Sequence, residues 1–175
     1  MENTGKISAD NLEIRAITPA DDLSHFSCSE KQLNAFFVED ALQDHLNLYS
    51  ITQVVKYEGE IAGFFTLIAD NITLKSLPGA AYSGYHYDKL PAVKIARLAT
   101  DEQYERRGIG QTMLMVIFSI IHHVSQYIGC RVVTVDAKSD AVGFYKKFGF
   151  REVTSKRHDD YVPLYIDIKL MNDGE

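Results

Sequence analysis

Residues 104 to 110 read Tyr-Glu-Arg-Arg-Gly-Ile-Gly and stand between an apolar run ending at Thr100 and another beginning at Ile109. A strand that turns into a helix at such a place can hold an anion. Gly108 and Gly110 lack a Cβ, so several backbone amides can face one phosphate and the phosphate can come close to the chain. The helix N-terminus adds unpaired N–H groups and about half a positive charge. Arg106 and Arg107 bring charge that no cellular pH removes. A solvated turn before a core helix is the plain alternative. Two other phosphate loops do not fit: the nucleoside-triphosphate loop needs a lysine and a hydroxyl residue after the second glycine, where Gln111 and Thr112 stand, and the dinucleotide fingerprint needs a third glycine at Met113.

The second stretch with chemical potential is Ala141 to Phe150, "AVGFYKKFGF". It reads as a short amphipathic helix with Phe144 and Phe148 in the core and Gly149 as its C-cap. Tyr145 then falls one position round from the core face, partly exposed, with a hydroxyl that needs something to point at.

Both stretches need elements to hold them. Leu12 to Ile17 alternates as a strand and ends in a Thr18-Pro19 turn. Ser29 is an N-cap followed by Leu33, Phe36, Phe37, Ala41 and Leu42, one apolar helix face through about Leu46. Ile51–Tyr57 and Ile61–Ala69 flank Glu58-Gly59-Glu60 as an antiparallel hairpin. Residues 70–90, with Pro78, Gly79, Gly84 and the cluster Tyr82, Tyr85, His86 and Tyr87, show no period and read as a long loop, a candidate substrate lid. Pro91–Thr100 is a central strand, and Gly108–Val124 a mostly buried helix through Ile109, Met113, Val116, Ile117, Ile120 and Val124. Arg131–Ala137 is a strand, and Phe150–His158 with Tyr161–Leu170 are the last two. The order predicts an α/β (α+β) fold, a mixed sheet flanked by helices in a single domain over residues 11–171, after a solvated, flexible tail at 1–10.

Composition narrows the function. With 46% hydrophobic residues in a chain of 175 there is enough apolar side chain for one real core. Eighteen basic against twenty-four acidic residues give a formal charge of -6, which disfavours nucleic acid as a partner. Cys28 and Cys130 lie far apart and read as reduced thiols, and no cysteine or histidine pattern calls for a metal. His122 and His123 point about 100° apart on their helix and cannot act as a pair. The longest apolar stretch, Met113–Ile121, is far below the ~20 residues of a membrane span, so no membrane partner and a cytoplasmic location are expected.

"RLATDEQYERRGIGQTML" followed by "VDAKSDAVGFYKKFGF" resembles the GNAT superfamily of acetyl-CoA-dependent N-acetyltransferases, and the likeness covers roughly Leu12 to Leu170. It implies the GNAT fold and acetyl-CoA as cosubstrate. Arg106, Arg107, Gly108, Ile109, Gly110 and Gln111 would hold the pyrophosphate of coenzyme A, and the backbone of Leu98, Ala99 and Thr100 would run beside the pantetheine arm. Two departures stand out: Glu105 occupies a position usually Gln or Arg, and Lys138 replaces an asparagine often found seven residues before the tyrosine.

The implied reaction is direct attack of a primary amine on the thioester. Tyr145 suits the proton donor to the leaving thiolate, since a phenol of pKa about 10 carries its proton at neutral pH and lies near a thiol's ~8.5. A backbone N–H of Leu98–Thr100 would polarise the carbonyl. For the general base, "VKIARLAT" holds no carboxylate and Arg97 cannot accept a proton. Asp101, Glu102, Asp136 and His86 are candidates, each more readily read as structural or surface residues, and a water chain would also serve.

Substrate choice is expected in the N-terminal half. There "FSCSEKQLNAFFVEDALQDH", "VVKYEGEIAGFFTLIAD" and "KIARLAT" look like the branch of the superfamily that includes toxins acetylating aminoacyl-tRNA. The acidic balance places a generic small-molecule or protein/peptide amine first as acceptor and tRNA second. A homodimer is allowed for, and a non-catalytic coenzyme-A-binding regulatory module is the remaining alternative. The loss of the loop or the tyrosine would mark that module, and both are present.

Overall fold

The computed structural model describes residues 5–78, 82, 84–154 and 160–172. Seven strands follow one another in the order β1-β2-β3-β4-β5-β7-β6. They are β1 (Leu12–Ala16), β2 (Ile51–Tyr57), β3 (Glu60–Thr73), β4 (Lys89–Thr100), β5 (Val132–Lys138), β6 (Arg151–Glu152) and β7 (Tyr161–Asp167). β1 to β2 and β2 to β3 are antiparallel, β4 to β5 is parallel, and β7 is antiparallel to both β5 and β6, so the sheet is mixed as the sequence predicts. The chain divides into two compact units, residues 5–68 with 96–119, and residues 69–95 with 120–172.

In the first unit the hairpin of β2 and β3 turns on Glu58 and Gly59, whose φ values of 51° and 90° are both left-handed, as a two-residue hairpin loop requires. The predicted helix over 29–46 is present as α1 (Lys31–Ala35), a wide turn over Phe36–Asp40 and α2 (Ala41–Leu46). Its N-cap is Glu30, whose carboxylate accepts from Gln32 N–H, one residue later than the Ser29 expected. In the wide turn Ala41 N–H donates to the Phe36 carbonyl five residues back. The extra residue turns both Phe36 and Phe37 inward, where Phe37 stacks on Phe64 at 4.1 Å and Phe26 meets both edge-on.

α3 (Ile109–Val124) packs its first turns on β3 at Gly63, where an added Cβ would come 2.9 Å from the Ala99 carbonyl and 3.4 Å from Ile109 and Met113. A side chain there would hold helix and strand apart. The buried stripe of α3 is Ile109, Met113, Leu114, Ile117 and Ile121; the predicted Val116, Ile120 and Val124 are half-buried. Within the expected tail, Ala9–Asn11 form a single 3₁₀ turn and Ile7 is 4% exposed, its N–H donating to the Arg107 carbonyl at 2.8 Å, while Gly5, Lys6, Ser8, Ala9 and Asp10 are exposed.

In the second unit β5 is buried between the start of β4 and β7, with registers Ala92↔Val132 through Ile95↔Val135 and Val132↔Asp167 through Lys138↔Tyr161. The predicted loop 70–90 is shorter than expected because β3 runs on to Thr73 and a 3₁₀ turn follows at Leu74–Ser76. Leu74, Leu77, Tyr82 and Leu90 pack in one apolar cluster, and Tyr82 donates to Asp167 at 2.7 Å, which ties this segment down. Gly79 to Ala81 and Ser83 lie outside the described residues, as do 155–159 of the predicted strand Phe150–His158. The last predicted strand ends early. Asp167 accepts from Lys169 N–H and starts the short helix α5 (Ile168–Asn172), so β7 stops there.

Candidate active site

The anion loop is built at the end of β4. Asp101 is 2% exposed; its carboxylate accepts from Ser27 N–H and from Gln103 N–H, each at 2.9 Å, and its own N–H donates to the Ala62 carbonyl on β3. This clamp stops the strand, nucleates the 3₁₀ turn Glu102–Tyr104 and fixes where the loop begins. Asp101 is therefore occupied as a structural cap and is no free base. Because N–H groups of an extended strand point alternately to its two sides, the Asp101–Ala62 bond sends the Ala99 N–H toward β3. The Leu98 and Thr100 N–H groups then point to the opposite side. Ala99 is itself 6% exposed and packs with Val54 and Phe64, so of the three predicted strand residues Leu98 and Thr100 are the ones whose amides face away from β3.

Arg106 follows with φ 58° and Gly108 with φ 93°, and α3 begins at Ile109. The first i→i−4 bond of the helix runs from Thr112 N–H to the Gly108 carbonyl at 3.1 Å. The N–H groups of Gly108, Ile109, Gly110 and Gln111 therefore precede any carbonyl that the helix could offer them, as at any helix N-terminus. The two arginines part company. Arg106 is exposed, whereas Arg107 lies over the rings of Tyr57 (5.5 Å) and Tyr104 (5.8 Å) and donates Nε to the Gly5 carbonyl at 3.1 Å. Arg107 braces the loop from behind. Glu105 is exposed.

Tyr145 sits on α4 (Val142–Lys146), a helix of a turn and a half that Gly149 ends with φ 92°. The structure inverts the predicted order: Tyr145 is 6% exposed, whereas Phe144 and Phe148 are half-buried. The reversal at Gly149 swings Phe150 back beneath the helix, where its ring meets Tyr145 edge-on at 5.3 Å, with Phe144 on the other side at 5.1 Å. Burial among these rings pushes the phenol well above its ordinary pKa, so Tyr145 keeps its proton at any cellular pH. Among the described residues its hydroxyl has no hydrogen-bond partner.

The remaining candidates separate cleanly. Asp136 is held by Lys94 at 2.5 Å, while Glu102 and His86 are exposed. Arg97 lies over the Phe36 ring at 4.6 Å and donates to the Ala96 carbonyl, so this stretch of β4 carries a fixed cation. His122 and His123 are exposed at the end of α3, and Lys138, at the asparagine position, lies 6.0 Å from the Tyr161 ring. Burial raises both thiols, Cys28 to about 11, which holds them in the protonated form. The residues missed by sequence reasoning are Gly5, Lys6 and Ile7, in a stretch whose only apolar signal was one isoleucine among polar neighbours. Among the described residues no helix is long and apolar enough to cross a membrane.

Comparison with known proteins bears on the same segments. The acetyltransferase (GNAT) domain profile matches residues 22–165 and so takes in both compact units. A tRNA-acetylating toxin of Mycobacterium tuberculosis is 30% identical over 137 residues, 78% of this chain and 82% of that protein. An N-alpha-acetyltransferase of Sulfurisphaera tokodaii is 32% identical over 133 residues, 70% of this chain and 67% of that protein. Among solved structures, AtaT complexed with acetyl-methionyl-tRNAfMet superimposes with a TM-score of 0.83 at 24% identity, covering 92% of this chain and 97% of that one. AtaTR bound with acetyl-CoA gives a TM-score of 0.77 at 25% identity, covering 93% and 97%. The chain belongs to the GNAT family and is an acetyl-CoA-dependent N-acetyltransferase.

Proposed function

We propose that this enzyme acetylates the α-amino group of an aminoacyl-tRNA. The observation that carries this reading is the absence of a free carboxylate among the described residues from Lys94 to Asp101 of β4 and its end. Asp101 is buried under two backbone N–H donors, and Arg97 presents a positive charge instead. With no carboxylate on this stretch to take the ammonium proton, the acceptor must arrive neutral. An α-amine of pKa ~7.7–8.0 is about a third neutral near pH 7.5, whereas a lysine ε-amine of pKa ~10.4 is only about 0.1% neutral. The chemistry thus favours an α-amine over polyamines and lysine side chains by a factor of about 10² before any contact is made. The tRNA-acetylating relative and the AtaT complex with acetyl-methionyl-tRNAfMet support the same acceptor. The formal charge of -6 opposes tRNA only as an average, and local cations are present: Lys147 is exposed shortly after Tyr145, beside Lys146, which pairs with Glu152.

Within this reading the loop N–H groups of Gly108 to Gln111 hold the phosphates of coenzyme A, with Arg106 beside them. Bound acetyl-CoA supplies an activated acetyl group as a thioester. The Leu98 or Thr100 N–H meets the negative charge that develops on the carbonyl oxygen, and Tyr145 gives its proton to the departing sulfur. The amine loses its own proton to water, and the Tyr145 phenolate takes one back from water, so no proton is gained or lost over the cycle.

The test is a panel of acceptors at equal concentration and pH 7.5: charged tRNAs, free amino acids, spermidine and a lysine peptide. Charged tRNA should be acetylated fastest, and its apparent affinity should fall steeply between about 50 and 200 mM salt as phosphate contacts release counterions. Equal or faster acetylation of spermidine or the lysine peptide contradicts the reading.

A further inference from the structure

We infer that the N-terminal segment Gly5–Ile7 is a working part of the coenzyme A phosphate site, with the Lys6 ammonium supplying a cation that the loop no longer provides for itself. The inference rests on the reading of residues 105–111 as the phosphate loop and adds to it a segment distant in sequence.

Three contacts weave this segment into the loop. Ile7 N–H donates to the Arg107 carbonyl at 2.8 Å, the Gly5 carbonyl accepts from Arg107 Nε at 3.1 Å, and Ile7 is buried at 4% exposure, which anchors both bonds. Between them the Lys6 stem lies across Gly108. A Cβ added to that glycine would be 3.1 Å from Lys6 Cε and 3.2 Å from Cγ. The first bond has a consequence for the cradle. The Arg107 carbonyl is the acceptor, four residues back, that Gln111 N–H would take if the helix began one residue earlier. With Ile7 N–H already on it, that carbonyl is engaged from outside the helix and Gln111 N–H stays available to an anion.

Charge gives the second half of the argument. The loop opens with acidic Glu105, and Arg107 is turned back over Tyr57 and Tyr104, so of its own cations only Arg106 remains exposed. Lys6 is itself exposed, with its stem laid against Gly108, the first of the four residues with orphan N–H groups. An ammonium in that position restores the positive charge that Glu105 removes, and the glycine at 108 leaves room for the stem as well as for the turn. Phosphate is the shared chemistry, and either the pyrophosphate or the 3′-phosphate of coenzyme A could be the group it meets.

Calorimetric titration of the full chain tests this, with acetyl-CoA and with 3′-dephospho-acetyl-CoA. Lys6→Ala should weaken acetyl-CoA about threefold to fivefold, the size of one exposed charged contact, with an unchanged melting temperature. Lys6→Glu should weaken it further, and Lys6→Arg should bind as wild type. A loss with both ligands assigns the pyrophosphate; a loss with acetyl-CoA alone assigns the 3′-phosphate. Gly110→Asp is titrated beside them. If Gly110→Asp loses binding while Lys6→Ala and Lys6→Glu bind as wild type, the role of Lys6 is overturned and the loop reading stands. If Gly110→Asp itself binds as wild type, the loop reading falls and this inference with it.

Discussion

The anion loop over Asp101–Gln111 and the short helix over Val142–Gly149 solve opposite problems. On the proposed reading the loop would offer main-chain N–H groups, so its role would depend first on where glycines permit the backbone to go, with side-chain charge from Arg106 and Lys6 a smaller contribution. The helix would offer one side chain, so its proposed role would depend on a single hydroxyl whose ring packs against Phe144 and Phe150. A site built from the backbone would tolerate Glu105 where a basic or amide residue is usual. A site that rests on one phenol would not tolerate its loss.

This contrast is broken most severely at the hydroxyl. Tyr145→Phe should lower kcat about 10²-fold, close to 2.7 kcal/mol, with acetyl-CoA affinity and melting temperature essentially unchanged, because the ring keeps its contacts with Phe144 and Phe150 and no hydrogen bond among the described residues is lost. A fall in melting temperature with kcat preserved would make Tyr145 a packing residue. Next in size is Gly63→Ala. Its Cβ would meet the Ala99 backbone carbonyl at 2.9 Å, so helix or strand must shift, at a cost of about 1–3 kcal/mol in chemical denaturation. Gly110→Asp follows, with acetyl-CoA affinity reduced about tenfold or more, or about 1.4 kcal/mol, and the fold intact by circular dichroism. The smallest effect sharpens the comparison. Glu105→Gln removes an exposed charge and should tighten acetyl-CoA by less than about threefold, where a side-chain-built site would respond by tenfold or more.

What the sequence revealed divides along the same line. Local patterns were legible: the Glu58-Gly59 hairpin, the periodic face of α3 and the glycines at 108 and 110 all announce a backbone geometry within a few residues. Long-range partners were not. The bond between Gly5 and Arg107 joins segments 102 residues apart, and nothing in MENTGKISAD announces it beyond a single isoleucine. Tyr145 shows a subtler limit. On a helix of five residues the period hardly repeats, and the chain reversal at Gly149, which brings Phe150 under the tyrosine, decides the buried face instead. The early end of β7 has a similar cause. Asp167 caps α5, accepts from Arg131 and receives the Tyr82 hydroxyl, and two of those three ties come from distant residues.

A single-turnover experiment bears most directly on this division of labour. Enzyme preloaded with acetyl-CoA is mixed with charged tRNA, and the rate of acetyl transfer is followed in the wild type and in Tyr145→Phe, so that cofactor binding and product release drop out. The account predicts a transfer rate about 10²-fold lower in Tyr145→Phe with the same amount of acetyl-CoA bound. Transfer at the wild-type rate would contradict it and would place the proton to sulfur with water rather than with the phenol.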